Sequence, residues 1–192
     1  MRKSWNLVAG LMVAGLALGL AGCLPFPLGD PEKSQVDEKL AGYWMTQDGE
    51  SRELYGLFPF DQHTYVLEDL KIKKDADKWQ ADGPAQVYKC WLTDIKGQRF
   101  LTLDPLQQHL PATTDEKRIY PVVKLMAEKD QILARSINTD FEPFKTVKSA
   151  ADVRAVIEKD LANPDMFNSQ AQTFRRLDPE RDQETVNLLV SH

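Results

Sequence analysis

From residue 42 to residue 137 the chain is a series of short runs rich in aromatic and β-branched residues, each closed by a turn signal. That even spacing points to neighbouring strands paired antiparallel and leaves little room for another architecture. The runs fall at 42–46, 52–58, 64–72, 86–93, 99–103, 122–127 and 131–137. Asp48-Gly49 and Lys96-Gly97 are the clearest hairpin turns, because glycine supplies the positive φ that a two-residue connection needs. After residue 137 the period changes. Ser149 and Asp152 form a capping-box pattern with Asp in the last place, and Val153, Val156, Ile157 and Leu161 recur at helical spacing. This predicts a helix over 150–162 that stops ahead of Asn163-Pro164. Arg154, Glu158 and Lys159 occupy its other face, so one side is expected to pack on the sheet. A final run, 174–177, reads as a closing strand.

The N-terminus is of a different kind. Arg2 and Lys3 precede an unbroken stretch of small and apolar residues over 7–20, the pattern of a signal-peptide core. The stretch is shorter than the roughly 20 residues a membrane-spanning helix needs, and Pro25 and Pro27 follow it. It ends in Leu20-Ala21-Gly22-Cys23, which resembles the lipobox of bacterial lipoproteins. The resemblance implies a signal peptide over 1–22, cleavage after Gly22 and lipid attachment at Cys23. Two or three acyl chains anchor a protein stably, since each buried methylene contributes about 0.8 kcal/mol. The implied location is therefore the cell envelope, with the membrane as a partner through the anchor. Leu24 rather than Asp follows the cysteine, so the outer membrane is the implied destination if the host has one.

Residues 23–38 carry Pro25, Pro27 and Pro31 among charged residues with no apolar period, and read as an extended tether. The domain is expected over 39–177, and 178–192, which opens with Asp178-Pro179-Glu180-Arg181, as a mobile tail. The formal charge of −5 becomes −7 once Arg2 and Lys3 are set aside, an acidic balance that disfavours nucleic acid as a partner. With Cys23 taken by lipid, Cys90 has no partner in the mature chain, and an oxidising envelope favours burying it in the core.

Leu40-Ala41-Gly42-Tyr43-Trp44 opens the first strand, and this G-x-W entry resembles that of lipocalins. Together with seven short strands, a helix, Asn163-Pro164-Asp165-Met166-Phe167 and Phe174-Arg175-Arg176, the order over residues 39–177 is similar to bacterial lipoproteins with lipocalin-like domains. The resemblance implies a mainly β fold, an antiparallel up-and-down β-barrel with one C-terminal helix packed on it. It also implies that Trp44 closes one end of the barrel beneath Arg175 or Arg176.

Motifs for chemistry are scarce. His63, His109 and His192 are far apart, with no metal-ligand spacing, so no metal or other cofactor is expected. No nucleophile elbow, phosphate-binding loop or dinucleotide fingerprint occurs, and catalysis is not expected. The candidate ligand-binding residue is Glu68, which shares one face of a strand with Val66, Leu70 and Ile72. If that face is interior, Glu68 meets a ligand's polar group; if it lies at a bulge or rim, Glu68 reaches water. Two functions remain open. In one the barrel binds a small apolar ligand. In the other its aromatic side chains fill it, and the protein acts on an envelope protein through its surface.

Overall fold

The computed structural model describes residues 23–46, 51–76, 78–106 and 118–190. Among the described residues there are ten strands: β1 (Cys23–Leu24), β2 (Gly42–Thr46), β3 (Ser51–Pro59), β4 (Tyr65–Asp75), β5 (Lys78–Ala81), β6 (Gln86–Ile95), β7 (Gln98–Pro105), β8 (Tyr120–Ala127), β9 (Gln131–Ser136) and β10 (Gln172–Arg176). Two helices, α1 (Ala150–Asp160) and α2 (Gln183–Val190), complete the fold. The order β8-β7-β6-β4-β3-β2-β10-β9 closes on itself through a β8–β9 pairing, and every ladder is antiparallel. The fold is thus an eight-strand up-and-down barrel, the architecture that the resemblance to lipocalin-like domains implies. β10 is the closing strand, joined to both β9 and β2.

The local signals act as their chemistry requires. Lys96 and Gly97 both take positive φ, 49° and 76°, and join β6 to β7 in a two-residue turn with Ile95 opposite Gln98. Asp48-Gly49 lies outside the described residues. At the start of α1 the Ser149 hydroxyl accepts from the Asp152 N–H at 3.2 Å, and the Asp152 carboxylate accepts from the Lys148 N–H at 2.8 Å. Val153 and Ile157 are fully buried and dock α1 on the outside of the barrel, against Ile95, Phe100 and Val122. The Lys96 ammonium, donating to the Glu158 carbonyl at 2.7 Å, ties the β6–β7 turn to the same helix.

Three expectations need correction. The segment expected as a tether is packed: Leu24 and Leu28 are buried in the layer between barrel and α1, and β1 pairs with the start of β8. The Leu28 carbonyl accepts three hydrogen bonds, from the Trp91 indole at 2.8 Å and the Thr102 and Thr93 hydroxyls at 2.9 and 3.2 Å. The prolines remove ladder donors but leave Leu24 and Leu28 free to fill a groove whose partners lie more than 60 residues away. Residues 178–190, expected as part of a mobile tail, also carry structure. α2 follows Asp182, which is buried and forms a two-pronged pair with Arg175 on β10, both contacts 2.5 Å. Lastly, the stretch between the runs expected at 64–72 and 86–93 carries β5, which extends the far end of β4 into a hairpin. The Arg52 guanidinium stacks 4.2 Å from the Trp79 ring and holds β5 in place.

Candidate functional site

The starts of β2, β4, β7 and β9 meet at one end of the barrel, and those of β3, β6, β8 and β10 at the other. The first end is capped by the chain itself. Short 3₁₀ turns at Pro31–Lys33 and Glu38–Leu40 cross it, and Val36 and Leu40 press into the interior. The Tyr65 hydroxyl accepts from the Asp37 N–H and donates to the Asp37 carbonyl, at 2.5 and 3.1 Å. Arg99 reaches the Asp37 carboxylate at 2.6 Å and Asp94 at 3.2 Å. Partial burial opposes ionisation of Asp37, yet the Lys39 N–H and the Arg99 guanidinium hold its carboxyl below the usual range.

Trp44 seals the same end. Its indole donates to the Leu40 carbonyl at 2.9 Å, and the Arg176 guanidinium lies 4.2 Å from the ring centroid. Arg176 also donates to the carbonyls of Ala41 and Lys39, at 2.8 and 2.5 Å. Gly42 has φ 130°, and a Cβ there would stand 2.6 Å from an Arg176 nitrogen, so backbone and cation meet where only glycine fits. Of the two arginines considered, Arg176 covers Trp44; Arg175 is held by Asp182.

Inside, the wall is apolar and largely filled. Trp44, Tyr55, Tyr65 and Phe174 are the large interior side chains, with Leu57, Leu67, Leu101, Leu103, Val123 and Leu125 between them. Tyr55 and Phe174 meet edge to face, 5.2 Å between centroids. Among the described residues these walls leave a void of about 60 Å³ between them, lined only by apolar side chains and Tyr55. Ligand pockets commonly measure roughly 300–1,000 Å³. Cys90 is fully buried in this wall, and burial raises its thiol pKa well above the ordinary value, leaving it an inert thiol.

Glu68 takes no part in the interior. Register places Tyr55 opposite Asp69 and Leu57 opposite Leu67, so Tyr65, Leu67, Asp69 and Lys71 face inward while Val66, Glu68 and Leu70 face out. Glu68 is exposed. The interior carboxylate is its neighbour Asp69, only 7% exposed, toward the end of the barrel opposite Trp44. Its Oδ1 atom is buried and accepts no hydrogen bond. Burial, aided by the nearby Glu53 carboxylate and opposed by Lys71, pushes the Asp69 pKa up to about 7. Tyr88, inward on β6, is raised to about 12 by burial and by Asp69. Alternation along residues 64–72 yields two faces, each carrying one acid; only the β3 register decides which is inside.

Cys23 is half-buried and paired opposite Pro121, at the end of the barrel opposite Trp44 and near Tyr88. His63, the one histidine among the described residues, is an exposed turn residue whose Nδ1 lies 2.7 Å from the Ser34 carbonyl. Among the described residues no three His, Cys, Asp or Glu side chains converge as a metal site. No family model, curated protein or solved structure matches the chain.

Proposed function

We propose that this protein is a lipid-anchored lipoprotein of the cell envelope whose barrel is filled and which acts through its outer surface on an envelope partner. The observation that carries the filled-barrel reading is the void of about 60 Å³, too small for a fatty acid or a comparable apolar ligand. It favours this reading over that of a carrier.

The anchor rests on the basic residues Arg2 and Lys3, the apolar run over 7–20 and the Leu20-Ala21-Gly22-Cys23 sequence. No described helix is long and apolar enough to cross a membrane. Because Cys23 is itself part of a ladder, a lipid on its sulfur would hold the barrel directly against the bilayer by the end at which β1 pairs with β8. The capped end would then face away from the membrane. It bears Phe60 and Phe58, 65% and 39% exposed, on the β3–β4 turn and the strand before it, where a partner would meet them.

Titration of the purified protein with an environment-sensitive apolar dye tests the filled barrel. The expected result is no saturable one-to-one binding that a fatty acid displaces, in a protein that melts cooperatively. Saturable, fatty-acid-displaced binding would restore the carrier reading.

A further inference from the structure

We propose that the cleft between residues 29–38, the last residues of β6 and the first turn of α1 receives an extended, basic peptide segment of a protein partner, which adds as a strand to the free edge of β6. The cleft measures about 900 Å³, lies outside the filled barrel and is walled by described residues throughout. That volume is in the range of ligand sites.

The edge is a consequence of strand lengths. β4 pairs with β6 only as far as Cys90, opposite Tyr65, so beyond that residue β6 has a strand on one side alone. Ile95 and Gln98 close the β6–β7 turn as a hydrogen-bonded pair, and alternation makes Thr93 with Phe100 and Trp91 with Thr102 the next such pairs. Leu92 and Asp94 therefore turn their backbone N–H and C=O groups away from β7, toward the cleft they line. The Leu92 N–H is taken there by the Ser34 hydroxyl, at 3.0 Å. Among the described residues nothing bonds the Leu92 carbonyl or the Asp94 N–H and C=O, and Asp94 is exposed. A row of unpaired backbone groups on a strand edge is a template for another chain.

Its complement is a polypeptide backbone. A residue set opposite Asp94 accepts from its N–H and donates to its C=O, and the residue two places along donates to the Leu92 carbonyl. Charge then selects the peptide. Each cation on the walls is already paired: Lys33 with Asp30 at 3.1 Å, Arg99 with Asp37 and Asp94 at 2.6 and 3.2 Å, and Arg154 with Glu158 at 2.7 Å. Glu38, also on the wall, makes no ion pair, so the surplus charge is negative. Lysine or arginine side chains on the segment meet that surplus, and acidic ones are repelled. The assignment rests on the reading of a protein that acts through its outer surface. Dye binding in the barrel and peptide binding in the cleft nevertheless succeed or fail separately.

Titration of the isotope-labelled protein with acetyl-Val-Lys-Val-Lys-Val-amide, followed by amide resonances and amide hydrogen exchange, tests it. The controls are the same peptide N-methylated at alternate backbone amides and a peptide with Glu in place of Lys. The expected result is saturable binding that slows exchange of the Asp94 amide, about tenfold weaker for each control. Asp94→Pro deletes the free N–H without touching a ladder bond, and a loss of about tenfold is expected there, whereas Asp94→Asn keeps the N–H and stays within about threefold. Glu38→Lys, at an exposed position, serves if Asp94→Pro fails to fold, with a several-fold loss expected. Absence of saturable binding of the lysine peptide, equal binding of its N-methylated form, or unchanged affinity in the folded Asp94→Pro or Glu38→Lys variant would overturn the assignment.

Discussion

Asp69 sets the electrostatic character of the barrel interior. Its folded-state pKa of about 7 stands above the ordinary value of 3.8, so the folded protein keeps this proton where the unfolded chain has lost it. The sign follows directly. Stability from this group is greatest at low pH, falls as pH rises between the two values, and stays low above about 7. The loss is on the order of 4 kcal/mol. Asp69→Asn removes the titration, so the variant is expected to melt higher than the parent at pH 8 and to lose that advantage by pH 4. Parallel melting profiles for the two proteins between those values would mean that Asp69 is not desolvated. Residue-level reading of the sequence took Glu68 as the candidate acid on β4 and passed over Asp69, because alternation defines two faces without saying which one is covered. Trp44 was the opposite case. Its entry motif and a late arginine were both legible, since the close approach of Gly42 and Arg176 depends on residue types that few other positions in the chain combine.

Elements differ in how much of their cause is local. The β6–β7 turn and the α1 cap are specified by Lys96-Gly97 and by Ser149 with Asp152, and both could be read without knowing the fold. The packed segment around Leu28 could not, because its partners Trp91, Thr93 and Thr102 lie more than 60 residues away, and the C-terminal helix could not, because it packs against β5, far back in the chain, beside a closer pair of Asp182 with Arg175. α2 depends on that last contact. The Arg175 and Asp182 side chains are 14% and 5% exposed, and the guanidinium holds the Asp182 carboxyl below the usual carboxylate range. Removing one partner of such a pair strands the other charge, at a cost of roughly 3–5 kcal/mol. Arg175→Ala is therefore expected to release α2 while the barrel stays folded, since Arg175's side chain lies on the outer face of β10. Limited proteolysis should then cut within 178–190 and leave a protected barrel; an uncut tail in the variant would show that α2 is held by other contacts.

At the scale of the whole molecule, the barrel is a container with little left to contain. One end is crossed by residues 31–40 and sealed by Trp44 beneath Arg176, and aromatic and leucine side chains occupy the interior. Bulk sufficient to fill a small barrel was legible from composition, but the size of the remaining void depends on side-chain packing that periodicity does not report. The position of Cys23 inside a ladder constrains the proposed anchoring. If Cys23 carries lipid, no free tether separates anchor from barrel, so the end at which β1 pairs with β8 would lie at the bilayer surface and Phe60, at the far end, would face outward.

Native mass spectrometry of the protein released from its own membrane tests the lipid-anchored, filled-barrel account most directly. The account predicts a chain that begins at Cys23, carries the mass of a diacylglycerol with or without a further acyl group, and brings no fatty-acid-sized molecule with it. A chain that retains residues 1–22, an unmodified Cys23, or a co-purifying apolar ligand of that size would contradict it.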